Sequence, residues 1–70
     1  MVTDVLILRD EPDSRRVKAG RYLKGWSQTA LATHAGVAVR WVSYLERGFK
    51  IPTSRRRAIF EALGLDAGNE

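Results

Sequence analysis

Cysteine is absent from this chain of 70 residues, which excludes both a disulfide framework and a thiolate metal site. The longest apolar run, Val5 to Leu8, is too short to cross a bilayer or to form the core of a signal peptide. There is one histidine, and most acidic residues lie towards the two ends of the chain, so no acid–base constellation for catalysis is evident. We therefore expect a cytoplasmic protein that is not an enzyme and uses no metal, cofactor, small-molecule ligand or membrane.

Acidic residues are scarce in the middle of the chain, where basic residues concentrate. Between Ser14 and Arg57 there are eleven arginine and lysine residues and a single acid, Glu46. A basic centre flanked by acidic ends is typical of a surface that attracts nucleic acid. A solvated, highly charged surface is the alternative, and charge alone does not separate the two.

The segment SQTALATHAGVAVRWVSYLERG, residues 27–48, has the pattern of two short helices joined by a tight turn. Ser27 is a residue type that caps a helix by accepting hydrogen bonds from its first-turn amides. The first apolar face consists of Leu31, Ala32 and Ala35. Gly36 follows, where a left-handed residue ends the helix. The second apolar face, after the turn, consists of Val42 and Leu45.

These elements together resemble the helix-turn-helix domain of the phage-repressor family, also called the Xre or Cro type. The matching elements are S-Q at 27–28, L-A at 31–32, A-G-V at 35–37, Val42, Ser43, Leu45 and E-R-G at 46–48, then Pro52 and A-L-G-L at 62–65. The resemblance covers residues 14–66 and implies an all-α fold, a compact domain of four to five helices. Two features depart from the family pattern. Ala38 replaces the serine or threonine that commonly caps the third helix, and little chain remains for a fifth helix.

The expected organisation is an N-terminal arm over residues 1–13, a helix-turn-helix DNA-binding domain over 14–66 and a C-terminal tail over 67–70. The arm contains a short strand, because MVTDVLILR at residues 1–9 is rich in β-branched and aliphatic residues. We expect the first helix to be capped by Asp13 or Ser14 and to end near Lys24. The remaining helices are expected over 28–35, over 39–46 and from Thr53 or Ser54 to Leu63.

Each expected helix has one face in the core. The inward residues that we predict are Val17, Gly20 and Leu23 in the first helix and Ile59, Ala62 and Leu63 in the last. Gly20 weakens its helix by about 1 kcal/mol relative to alanine, so we expect close packing at that position. Gly25 and Gly64 are predicted to end the two helices, and Trp26 to pack under the second helix.

The second helix of a helix-turn-helix enters the major groove, and its N-terminal residues meet base edges. The corresponding residues here are Ala38, Val39, Arg40, Ser43 and Tyr44. Arg40 is the best candidate, because a guanidinium donates two hydrogen bonds to guanine O6 and N7; a phosphate clamp is the alternative. Val39 suits a thymine methyl. Tyr44 is predicted to contact a base edge or a phosphate, with a partly buried surface position as the alternative.

Phosphate contacts position such a protein without specifying sequence. The resemblance implies them at Gln28, at Arg47 and at Lys50. Gln28 lies at the amide-rich helix N-terminus that Ser27 caps, where an anion is attracted. Arg55 to Arg57 are consecutive, and a helix spreads their side chains around its circumference, so we expect one or two, Arg55 among them, to reach the DNA backbone.

Three further side chains have competing interpretations. We expect Trp41 to pack in the core, with exposure at the DNA face as the alternative. The resemblance implies that Glu46 is structural, either pairing with an arginine or orienting the turn at Gly48. His34 is expected to be an exposed helix residue, because no second metal ligand accompanies it.

The apolar N-terminal segment needs a partner. A domain of this size has a small core, so marginal stability or oligomerisation is expected. The apolar residues are Val5, Leu6, Ile7 and Leu8, and a lone strand would leave its backbone donors and acceptors unpaired. We expect the segment to pair antiparallel with its copy in a second subunit. Folding back onto its own helices is the alternative.

The sequence therefore predicts a sequence-specific regulator of transcription that binds double-stranded DNA. We expect a repressor that binds a palindromic operator as a homodimer, with residues 39–46 in the major groove. The alternative is a protein–protein interaction module, or an antitoxin-type component, that uses the helix-turn-helix fold. RNA binding is disfavoured, because no RNP-like aromatic run and no GXXG loop is present.

Overall fold

A computed structural model describes residues 12–65, which form four α-helices. The helices are α1 (Asp13–Lys24), α2 (Gln28–Ala35), α3 (Val39–Glu46) and α4 (Thr53–Leu63). This part of the chain is compact and all-helical, without a strand. The predicted strand over residues 1–9 lies outside the described residues. Among the described helices, none has the length and apolarity that crossing a membrane requires.

The start of α1 differs from the prediction. Pro12 occupies the N-cap position and no side chain caps the helix, so the prediction of Asp13 or Ser14 as the cap is wrong. Asp13 lies in the first turn, where a carboxylate interacts favourably with the helix dipole. Its oxygens accept hydrogen bonds from the Arg56 guanidinium at 2.6 and 3.2 Å. The carboxylate therefore joins α1 to α4 instead of capping α1.

A single core receives side chains from all four helices. Its buried apolar residues are Val17, Leu31, Ala32, Val42, Leu45, Ile51, Ile59, Phe60 and Leu63. Two of them, Ile51 and Phe60, were not indicated by the periodicity. Phe60 is the largest fully buried side chain, and it follows Ile59 directly. α4 therefore buries a wider face than an i, i+3, i+4 stripe describes.

Leu23 does not face the core, so that prediction is wrong: it is 78% exposed. Val17 and Gly20 are buried, and each step of three residues rotates the side chain by about 60° away from the preceding one. Two such steps place Leu23 about 120° from Val17 around the helix. Residues spaced i, i+3 and i+6 therefore do not share one face, and the third of them lies outside the buried face.

Gly20 lies where α1 packs against the end of α4. A Cβ atom added to Gly20 would lie 3.2 Å from Leu65 Cδ1 and 3.3 Å from Leu63 Cδ1, closer than ordinary van der Waals contact. The predicted close packing is confirmed, and it accounts for a residue that by itself weakens the helix.

Candidate nucleic-acid interface

The connection between α2 and α3 has the predicted geometry. Gly36 adopts φ +74° and ψ +30°, a left-handed conformation that a Cβ disfavours. The amide of Val37 then donates to the carbonyl of Ala32 at 3.0 Å. At the other end of α2, Ser27 Oγ accepts from the backbone amide three residues on, also at 3.0 Å. The cap and the turn together set the direction of α3 relative to α2.

α3 buries one side and exposes the other. Val42 and Leu45 belong to the core, whereas Val39 is 43% and Tyr44 37% exposed. The residues predicted to contact bases are Ala38, Val39, Arg40, Ser43 and Tyr44. All of them are exposed except Ser43, which is half-buried. Ala38 occupies the N-cap of α3 without a side-chain hydrogen bond, as the departure from the family pattern predicts. The outward side of α3 thus combines a guanidinium, an apolar methyl pair and a phenol.

Glu46, at the C-terminal end of α3, is buried and paired. The Arg21 guanidinium donates to its two carboxylate oxygens, from Nε at 2.7 Å and from Nη2 at 3.0 Å. The Glu46 side chain is only 3% exposed and that of Arg21 12%. The hydrogen bond to Glu46, together with its negative charge, raises the pKa of Arg21 above the usual arginine value. The prediction that Glu46 pairs with an arginine is confirmed, and its charge is neutralised inside the fold.

Gln28, a predicted phosphate contact, belongs to the same cluster. It is half-buried, and its Nε2 donates to Glu46 Oε1 at 3.1 Å. A side-chain amide has two N–H groups, so one remains for a further acceptor. The contact with Glu46 joins the start of α2 to the end of α3 and holds the Gln28 amide in one orientation.

Three aromatic rings form a row from α3 into the following loop. The rings of Trp41 and Tyr44 meet edge to face at 5.9 Å, and those of Tyr44 and Phe49 at 6.0 Å. Trp41 is half-buried and packs against the core, as predicted, whereas Phe49 is 53% exposed. Phe49 is a member of this surface that no motif indicated. Its only signal in the sequence is its position, directly after E-R-G and directly before Lys50.

The basic residues around α3 have two kinds of surroundings. Arg47, Lys50 and Arg55, all predicted phosphate contacts, are exposed, and the Arg47 guanidinium lies 5.3 Å from the centre of the Phe49 ring. Arg56 instead pairs with Asp13. Arg56 is therefore engaged within the fold, which agrees with the expectation that the three consecutive arginines do not all face the same phosphate.

Trp26 and His34 stack on each other. Their ring centroids are 4.1 Å apart and the planes are inclined by 8°. His34 is exposed, as predicted, and Trp26 packs against the core. Within residues 12–65 no three potential metal-ligating side chains lie together. The segment predicted to form the dimer, Val5, Leu6, Ile7 and Leu8, lies outside the described residues.

The chain matches no protein-family model, no curated protein and no solved structure.

Proposed function

We propose that this protein is a sequence-specific, double-stranded DNA-binding regulator of transcription, built on a phage-repressor-like helix-turn-helix. The proposal is supported by the pairing of α2 with α3 across a left-handed glycine, and by the exposed N-terminal half of α3. An α-helix fits the major groove of B-DNA, where every base pair presents a distinct pattern of donors and acceptors.

The burial of the one acidic residue in the basic centre is the main support for the proposal. Glu46 is the only acidic residue between Ser14 and Arg57, and its carboxylate is buried against Arg21. The exposed surface of α2, α3 and the following loop therefore has no negative charge. DNA carries a high density of negative charge, and a basic surface of this kind gains affinity by releasing its counterions.

We assign the outward residues of α3 to base contacts and their surroundings to phosphate contacts. Arg40 donates to guanine O6 and N7, and Val39 packs on a thymine methyl. Tyr44 contacts a base edge or a phosphate, with Ala38 and Ser43 beside the same groove. The phosphate contacts are Gln28 with the capped N-terminus at Ser27, and Arg47, Lys50 and Arg55.

We further propose that the protein acts in the cytoplasm as a homodimeric repressor on a palindromic operator. A two-fold dimer presents two copies of α3, and two half-sites one helical turn apart require a separation of about 34 Å. The contact is assigned to Val5, Leu6, Ile7 and Leu8, paired antiparallel with the same segment of the second subunit.

Selection of bound sites from a random duplex library tests the proposal directly. We expect a recurring, palindromic site that contains a G·C pair in each half, bound more tightly than a scrambled duplex. The affinity should fall steeply with salt. A single-stranded DNA and an RNA hairpin of the same composition are the controls. Failure to enrich any site, together with salt-insensitive duplex binding, would contradict the proposal.

One observation favours a protein partner as a second candidate function. Tyr22 and Leu23, at the end of α1, are 69% and 78% exposed, and large exposed apolar side chains occur at protein contact sites. Tyr22→Ser and Leu23→Ser separate the two functions. If DNA is the ligand, both substitutions should leave duplex binding unchanged. If the ligand is a protein that binds at this surface, they should abolish formation of the complex.

A further inference from the structure

Trp41 connects the core to the exposed surface of α3. Its side chain is half-buried and packs against the core cluster. Its ring also meets the exposed ring of Tyr44 edge to face at 5.9 Å. One edge of the indole is therefore fixed by packing, while part of the ring remains available to surface groups.

Two arginines from different helices lie against this one indole. The Cζ atoms of Arg40, in α3, and of Arg55, in α4, are each 5.3 Å from the centre of the Trp41 ring. Neighbouring residues on a helix do not face each other, so the Arg40 stem has to lie across the helix surface to reach the ring. The contact with Arg55 is tertiary and depends on how α3 and α4 pack.

The ring contact does not use the hydrogen-bonding capacity of the arginines. A cation is attracted to the ring face through its charge, so the contact requires none of the five N–H donors of the guanidinium. Two positive charges near one ring repel each other, and among the described contacts Trp41 is the group that Arg40 and Arg55 share. The negative face of the indole attracts both.

We propose that Trp41 is a positioning residue that holds Arg40 and Arg55 in fixed relation to each other. The proposal rests on the proposed function. Arg40 contacts a base while Arg55 contacts a phosphate beside it, so the indole couples the sequence-specific contact to the general one. Long side chains that are ordered before binding lose less conformational freedom on binding, and Trp41 supplies that order.

The test compares Trp41→Phe, which retains an aromatic face, with Trp41→Leu, which retains apolar volume only. Affinities for the preferred and for a scrambled duplex are measured at a temperature where circular dichroism shows every variant folded. Loss of one arginine–ring interaction should weaken binding about twofold to fivefold, so Trp41→Leu, which removes two, should weaken preferred-site binding about fourfold to twenty-five-fold. The scrambled duplex should be affected less, and Trp41→Phe should recover most of the affinity. Unchanged discrimination in Trp41→Leu overturns the proposal, as does an equal decrease in both variants.

Phe49→Leu is the matched control. It removes the ring beside Arg47, a residue assigned to phosphate, and the edge contact with Tyr44, but it leaves Arg40 and Arg55 in place. It should therefore reduce discrimination between the two duplexes less than Trp41→Leu does. Arg40→Ala combined with Trp41→Leu completes a double-mutant cycle. In the Arg40→Ala background, Trp41→Leu should no longer reduce discrimination. Full additivity of the two changes overturns the proposal.

A measurement without DNA separates this proposal from the proposed function. In the free protein, the side-chain NMR signals of Arg40 and Arg55 should show ring-current shifts that persist in Trp41→Phe and disappear in Trp41→Leu. Random-coil signals in the parent protein overturn the positioning role whatever the protein binds. If the signals are shifted but the protein binds no duplex, the DNA-binding function is refuted, and with it the role in base contact. The ordering of the two arginines by Trp41 would still hold.

Discussion

Arg21 and Glu46, 25 residues apart in sequence, form a two-point ion pair that joins α1 to α3. The Arg21 Nη1 also donates to the carbonyl of Trp26 at 3.0 Å, and Glu46 accepts a third hydrogen bond from Gln28. One guanidinium and one carboxylate thereby connect α1, the entry to α2 and the end of α3. The helix with the candidate base-contacting residues is anchored at its far end by this pair.

We expect Arg21→Met to destabilise the fold strongly. It leaves the Glu46 carboxylate buried at 3% exposure without its cation, and breaking a buried pair from one side costs about 3–5 kcal/mol. Urea unfolding monitored by circular dichroism measures the change. Because the pKa of Arg21 is raised in the folded state, the contribution of its charge to the stability of the fold is fully present below the usual arginine pKa. That contribution is lost only as pH rises through the still higher folded-state value.

Arg56→Met is the matched control for Arg21→Met, because the same substitution breaks another ion pair, that of Arg56 with Asp13. The Asp13 side chain is 35% exposed, and water can solvate the carboxylate that remains. An ion pair that water partly screens contributes less than a buried one, so the decrease in stability should be clearly smaller. Arg21→Met with Glu46→Leu should recover much of the stability. Equal decreases in the two single variants would show that burial does not govern these pairs.

Arg40 and Lys50 should differ in what they contribute to DNA binding. Arg40→Ala should cost about 1–3 kcal/mol on the preferred site and relax one base position, because the hydrogen bonds to that base are removed. Lys50→Ala should weaken all duplexes similarly and reduce the slope of log affinity against log salt by about one. Binding titrations on a set of single-base site variants provide both measurements. An unchanged ranking of those variants in Arg40→Ala would contradict the assignment.

Substitutions at Gly36 should lower stability through the backbone alone. A Cβ atom added to Gly36 would have no neighbouring atom within 4 Å, yet φ is +74°. A left-handed conformation costs a non-glycine residue about 1–2 kcal/mol, and asparagine adopts it most readily. Melting temperature should therefore fall in the order Gly36→Asn, Gly36→Ala, Gly36→Val, and DNA binding should fall with it. A Gly36→Val protein that melts like the parent would refute the strain argument.

Removal of residues 1–9 should convert the proposed dimer to a monomer. The deletion takes away Val5 to Leu8, the proposed antiparallel contact, and leaves all four helices in place. Analytical ultracentrifugation should then give the mass of one chain, and affinity for a palindromic site should fall to that for a half-site. A truncated protein that remains dimeric and binds the palindrome as tightly as before excludes the segment as the dimer contact.

Local sequence signals were sufficient for the boundaries of the helices and for the turn. Ser27 caps α2 by accepting from a backbone amide three residues on, and Gly36 and Gly64 end their helices through their own backbone conformation. Because these effects are local, they are visible in the sequence as a cap or a stop. The start of α1 is the exception. Asp13 is a good capping residue type, but its carboxylate is held by Arg56, 43 residues away, and Pro12 takes the N-cap position.

The sequence by itself determined that four short helices form, where they end, and that positive charge dominates the centre of the chain. Only the tertiary structure decided which charges remain at the surface. The bonds of Glu46 to Arg21, the packing of Phe60 into the core and the contact of Arg55 with Trp41 all join residues from different helices. Such contacts depend on how the helices cross. Periodicity along one helix indicates which face the helix buries, but not which residues of another helix pack against that face.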